Sequence, residues 1–136
     1  MDWLKVNSDL ITIGGKIRYY RKNRKMTQQD LALAAELEVS TIKRLENNKS
    51  RPELATCKLL AQALGIMPEM IYDAYLQFID SDYANYIKSY RKKHNLTQYQ
   101  LSKLLNVTPK TIAYWEQNKT FPSIKHYRII MQLANS

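Results

Sequence analysis

Arginine and glutamate recur at one fixed spacing in this 136-residue sequence: Arg21 with Glu46, and Arg91 with Glu116. Such pairs suit either acid–base chemistry or an ion pair that ties two elements together. The surrounding residues do not complete a catalytic set. His94 and His126 stand in no spacing with cysteine or carboxylate that would bind a metal. Cys57 falls on an apolar helical stripe, where a small core residue is the expected role rather than a reactive thiol. Three glycines are too few for a phosphate-cradling loop, and neither a nucleophile nor a cofactor is expected. What the chain does offer is cations, with 21 Lys and Arg against 12 Asp and Glu, a formal charge of +9. That balance favours polyanions as partners, meaning nucleic acid or an anionic membrane surface.

The charge is unevenly spread. Residues 1–66 carry +5, residues 67–80 carry −3 without a single basic residue, and residues 81–136 carry +7. No apolar run approaches the ~18 residues of a membrane span, and "MDWLKVNSDL" lacks a signal-peptide core. A single cysteine excludes an internal disulfide and fits a reducing cytoplasm.

The elements that would position these side chains come twice. Residues 17–62 laid on 87–132, at an offset of 70 and with no gap, are identical at 14 of 46 positions. The matches include Arg21/Arg91, Thr27/Thr97, Gln28/Gln98, Thr41/Thr111, Ile42/Ile112, Glu46/Glu116, Asn48/Asn118 and Lys49/Lys119. Chance gives only a few, so the chain is an internal duplication: two small domains rather than one average one. The periodicity is helical and nothing reads as a strand. Ile13, Ile17 and Tyr20 form a first stripe. Thr27 with Asp30, and Thr97 with Gln100, cap a second helix whose expected inner faces are Leu31, Ala34, Ala35 and Leu101, Leu104, Leu105. A tight turn leads to a short third helix, with Ile42 and Leu45, or Ile112 and Trp115, pointing into the core. A fourth helix follows Pro52 or Pro122, burying Leu54, Cys57, Ala61 and Leu64, or Ile124, Tyr127, Met131 and Ala134, and Gly65 is a C-terminal stop.

The third helix has an unusually well-marked start in "NVTPKTIAYWEQNK": Thr108 caps it and Pro109 suits its first position. It is too short to be stable alone, so one face must pack on its own domain while the other remains available. Two helices joined by a tight turn, the second short and capped, form a helix-turn-helix whose outer face can enter a major groove. Here the sequence resembles the Cro/CI-type (XRE) helix-turn-helix family. The resemblance covers "KIRYYRKNRKMTQQDLALAAELEVSTIKRLENNKSRPELATCKLLAQALGI" and again "YIKSYRKKHNLTQYQLSKLLNVTPKTIAYWEQNKTFPS". Its expected fold is all-α, with two tandem lambda-repressor-like domains (1–66 and 81–136) joined by an apolar helical linker (67–80).

The resemblance implies roles by position. Val39, Ser40, Lys43 and Arg44, and Lys110, Ala113 and Tyr114, read bases, Arg44 being suited to a bidentate guanine contact. Gln28, Asn48, Lys49 and Arg51, and Gln98, Asn118, Lys119 and Thr120, contact phosphates. Arg21–Glu46 and Arg91–Glu116 become structural ion pairs. The implied function is a transcriptional regulator of bacterial or phage type, a repressor, acting on double-stranded DNA in the cytoplasm. The rival reading leaves DNA to the first domain and gives the second a protein-interaction or inhibitory role. Between the copies, core and phosphate positions are kept while outward positions differ, through drift or through a difference in readout. The family's turn glycine is Glu36 in one copy and Asn106 in the other, and the glutamate leads us to expect an altered first turn. In residues 67–80, Met67, Met70, Ile71, Ala74, Tyr75, Phe78 and Ile79 follow one wide helical stripe starting at Pro68. This reads as a spacer helix between the domains or a homodimer surface. A spacer would let one chain serve as a rigid pseudo-dimer across half-sites ~34 Å apart.

Overall fold

A computed structural model describes residues 9–136, and among them are helices and turns but no strand. The stretch read above as lacking a signal-peptide core lies, as far as Ser8, outside the described residues. Among the described residues no helix is long and apolar enough to cross a membrane. The chain divides into two compact units, one ending at Asp73 and the other running from Ala74 to Ser136.

The first unit contains α1 (Ile13–Asn23), α2 (Gln28–Ala35), α3 (Val39–Glu46) and α4 (Leu54–Leu64). The second opens on a short α5 (Ala74–Ile79), then runs through α6 (Tyr83–Lys93), α7 (Gln98–Leu105), α8 (Pro109–Glu116) and α9 (Ile124–Ala134). Both copies of the four-helix pattern have lengths of 11, 8, 8 and 11 residues.

Local chemistry sets these limits. Thr27 accepts from the Asp30 N–H while the Asp30 carboxylate accepts from the Thr27 N–H, and Thr97 and Gln100 do the same. Both reciprocal caps satisfy amides that a helix start leaves unpaired. At the other end, Glu36 (φ 58°, ψ 43°) and Asn106 (φ 56°, ψ 46°) adopt one and the same left-handed conformation. The expected difference in the first turn is therefore absent. The reason lies in the bonds around it: Leu37 N–H reaches Ala32 O at 2.9 Å, as Val107 N–H reaches Ser102 O at 3.0 Å. These hold the glutamate in a region that costs an L-residue ~1–2 kcal/mol. Gly65 ends α4 at φ 67°, where glycine meets no such cost.

Two cores result. In the first unit α1 and α2 pack on α3, and α2 packs on α4. Ile17, Leu31 and Ile42 are fully buried there, each contributing ~1.5–3 kcal/mol. In the second, Ile87, Leu101, Leu105, Ile112, Trp115 and Ile130 form one cluster with Tyr83 and Ala84. The inner faces of α2 and α7 differ from expectation. Ala32 and Ser102 are buried, whereas Ala34 and Leu104 are exposed. In both units the buried position holds a small side chain, as close helix packing requires. On α4, Leu60 joins Cys57, Ala61 and Leu64, with Leu54 half-buried. On α9 the buried residue is Ile130; Ile124, Tyr127 and Met131 are half-buried and Ala134 is exposed.

The expected single helix over 68–79 does not form. A 3-10 turn at Pro68–Met70 packs against α4, and α5 begins only at Ala74. Between them Tyr72 O accepts from Lys16 Nζ at 2.8 Å, and Asp73 pairs with Arg51 at 2.6 Å. Met67, Met70 and Ile71 therefore belong to the first unit, and Ala74, Tyr75, Phe78 and Ile79 to the second. Met67 and Met70 are exposed and Ile71 fully buried. Tyr75 donates from its hydroxyl to Pro122 O at 2.8 Å, and the Phe78 ring lies 5.1 Å from that of Tyr127. The apolar stripe is thus divided, each half serving as part of its own unit.

Candidate nucleic-acid interface

The short helices α3 and α8 are two-faced. Ile42, Leu45 and Glu46 are buried on α3, and Ile112 and Trp115 on α8. Ser40, Lys43 and Arg44 stand exposed on the outer face of α3, with Val39 half-buried at its start. On α8, Lys110 is exposed while Ala113 and Tyr114 are half-buried. Thr108 caps α8 by accepting from Thr111 N–H at 3.2 Å, and Glu38, at the matching position, makes no side-chain cap on α3.

What orients these helices is the repeated arginine–glutamate pair. Arg21 Nε donates to Glu46 Oε2 at 2.6 Å and Nη2 to Oε1 at 2.9 Å. Arg91 meets Glu116 in the same fork at 2.8 and 2.9 Å. The remaining Nη1 donates to the carbonyl of Met26 or Leu96, just before α2 or α7. Each arginine therefore clamps three consecutive segments through a bidentate, charge-assisted pair. Hydrogen bonding to Glu116 raises the Arg91 pKa above its ordinary value, against the opposing effect of burial.

Several residues assigned to phosphate contacts have other partners. The Gln28 amide donates to Glu46 Oε1 at 3.1 Å, and that of Gln98 reaches Glu116 Oε1 at 3.5 Å. Both glutamines thus join the clamp. Asn48 accepts from Gly14 N–H at 2.9 Å and donates to Thr12 Oγ1 at 3.1 Å, holding the loop after α3 against the start of α1. Arg51 is ion-paired with Asp73. Lys49 is exposed, as are Asn118, Lys119 and Thr120 in the second unit.

One arrangement was not foreseen. Lys110 Nζ and Lys119 Nζ lie over the Tyr114 ring, 5.3 and 5.2 Å from its centroid. Lys119 is brought back by its N–H, which donates to Tyr114 O at 2.9 Å, just as Lys49 N–H donates to Arg44 O at 2.9 Å. The spacing of Lys110 and Tyr114, one helical turn apart, was the available signal. Away from this face, His126 packs its ring 5.7 Å from Trp115, and its Nδ1 lies 3.0 Å from the Oγ of Ser123, the residue that caps α9. Burial, reinforced by Asp73 and opposed by Arg51, pushes the Cys57 thiol up to about 11. Among the described residues no group of three or more His, Cys, Asp or Glu is placed to hold a metal ion.

Comparison with known proteins agrees with this geometry. The Helix-turn-helix family matches residues 17–69 and again 87–134. An immunity repressor protein of Bacillus phage phi105 is 39% identical over 61 residues, which are 45% of this chain and 42% of the relative's length. The chain thus spans about two fifths of the curated relative it matches. No solved structure gives a significant match. With two copies of the fold, each matched over nearly its whole length, the chain belongs to the XRE/Cro-CI type of the Helix-turn-helix family.

Proposed function

We propose that this protein is a sequence-specific repressor that binds double-stranded DNA in the cytoplasm through both of its units. The observation that carries this reading is the contrast within the repeat. The clamp, the reciprocal caps at Thr27 and Thr97 and the lysine after the short helix recur, while the outer faces differ: Val39, Ser40, Lys43 and Arg44 against Pro109, Lys110, Ala113 and Tyr114. A constant frame with a changed reading face is what shared phosphate positioning and separate base recognition would need. Lys49 and Lys119 supply phosphate contacts, and Arg51 joins them by exchanging the Asp73 carboxylate for a phosphate. Arg44 reads guanine. Because the faces differ, the preferred operator has unlike half-sites.

Selection of bound sites from random duplex DNA, followed by footprinting at several salt concentrations, tests this reading. Arg44→Ala should relax base preference at one or two positions. Lys49→Ala and Lys119→Ala should weaken binding to all sequences alike, each lowering the logarithmic salt slope by ~0.9. A Lys49→Ala variant with a changed preferred site, beside an Arg44→Ala variant without one, would reverse these roles. A footprint over a single half-site, unaffected by Lys119→Ala, would give the second unit to a protein partner instead.

A further inference from the structure

We infer that Tyr114 is the specificity-determining residue of the second unit and that it recognises thymine, a conclusion that rests on the proposed reading of DNA by α8. Where α3 presents the long, exposed side chain of Arg44, α8 presents a flat, half-buried ring approached by lysines from two directions. Lys110 approaches it from one turn earlier, and the backbone hydrogen bond from Lys119 to the Tyr114 carbonyl starts that side chain beside the ring, with its Nζ 5.2 Å from the centroid. The ring has only two side-chain torsions and is already positioned, so little freedom is lost on contact. Ala113, half-buried beside it, extends the apolar surface.

The four base edges in the major groove differ in ways this group can sort. Cytosine shows an amino donor, adenine an acceptor with an amino donor, guanine two acceptors, and thymine an acceptor beside a methyl group. The Lys110 ammonium near the ring disfavours an edge that presents amino protons, which sets cytosine and adenine aside. Guanine's two acceptors suit the lysine, but its edge carries no methyl on which the ring can pack. Thymine matches both parts of the side chain: its methyl packs on the ring, and its O4 accepts from the phenolic hydroxyl. Lys119, beyond the ring, neutralises a phosphate flanking that base. Unit one reads guanine through charge and unit two reads thymine through shape, so the two half-sites differ in composition as well as in sequence.

The test uses the full chain and a duplex carrying its selected site. Each thymine in the half-site footprinted by the second unit is replaced singly by deoxyuridine, which removes only the methyl. One replacement should weaken wild-type binding about fourfold, the effect of one lost methyl contact. Tyr114→Ala should bind the thymine and deoxyuridine duplexes equally, whereas Tyr114→Phe and Arg44→Ala should retain the penalty. Should Tyr114→Ala not fold, Tyr114→Gln takes its place. The inference is overturned if no thymine shows a penalty, or if the penalty survives loss of the ring. A chain that selects no sequence at all would overturn the proposed function together with this inference. Clear site selection without a deoxyuridine penalty would remove this inference alone.

Discussion

The loop behind the short helix is fastened by different chemistry in the two units. In the first, Asn48 turns inward, accepting from Gly14 N–H and donating to Thr12. A β-carbon on Gly14 would sit 2.2 Å from Leu45 O, so the backbone of α1 passes where only glycine fits. In the second unit the matching residue is Ala84, and Asn118 has no such bond among the described residues. Tyrosines hold the loop there: Tyr83 donates to Thr120 O at 2.9 Å and Tyr75 to Pro122 O at 2.8 Å. Burial lifts the Tyr83 pKa above its ordinary value. The two copies thus share backbone geometry and the charged clamp, while the tether that sets the loop has been replaced outright. A clamp and its loop geometry can therefore be kept while the packing that supports them changes.

The shared clamp should be the costliest place to break either unit, and the first should suffer more. Glu46 is more deeply buried than Glu116, with side-chain exposures of 1% and 5%. Glu46→Ala strands the Arg21 charge and leaves Gln28 without its acceptor, so chemical denaturation should show a loss of ~3–5 kcal/mol. Glu116→Ala should lie at or below the lower end of that range. Equal losses, or a milder one for Glu46→Ala, would mean that burial of the pair does not set its contribution.

The tether offers the next contrast. Gly14→Ala forces the α1 backbone away from Leu45 O and stretches the hydrogen bond to Asn48, so a loss of ~1–3 kcal/mol is expected. Ala84→Gly, the reciprocal change, should cost only ~0.5–1 kcal/mol through backbone freedom. Because Cys57 is buried and its thiol pKa raised, its labelling rate reports opening of the first unit without contribution from the second. Gly14→Ala should speed labelling and Ala84→Gly should not. Unchanged labelling in both would show that α1 can shift to admit a methyl group at no cost.

Much of this was legible locally. Thr27 with Asp30 and Thr97 with Gln100 declare a helix start from four residues, because a cap is satisfied within one turn. The repeat made the Arg–Glu pairs visible even though each partner lies 25 residues from the other. Other features depend on distant partners. The stripe over 67–79 has helical spacing throughout, yet Lys16, 56 residues away, takes the Tyr72 carbonyl and Arg51 takes the Asp73 side chain. No local pattern carries that information. In α2, apolar residues at 31, 32, 33, 34 and 35 leave an eight-residue helix with more than one possible inner face. The pair Ala32/Ser102 held the answer, since a small residue in both copies marks a close approach. On the outer face of α8, the one-turn spacing of Lys110 and Tyr114 was legible, whereas the return of Lys119 onto the ring depends on the loop that follows the helix.

The smallest contrast concerns pH, and it follows from the one chemical difference between otherwise matching caps. Asp30 completes the first cap and Gln100 the second, and only Asp30 titrates. Hydrogen bonds from Thr27, its backbone N–H first, hold the Asp30 carboxyl below its ordinary 3.8. A group whose folded pKa is depressed lends stability that is fully present above the ordinary value and lost as pH falls through the folded one. Between pH 6 and about 4 the two caps should therefore behave alike. Below that, the Thr27 amide resonance should move and its hydrogen exchange quicken while those of Thr97 stay still. Asp30→Gln gives the first unit the second unit's cap and should abolish the difference. Thr27 and Thr97 shifting in step, in wild type and Asp30→Gln alike, would show that acid acts on both units through something other than this carboxylate.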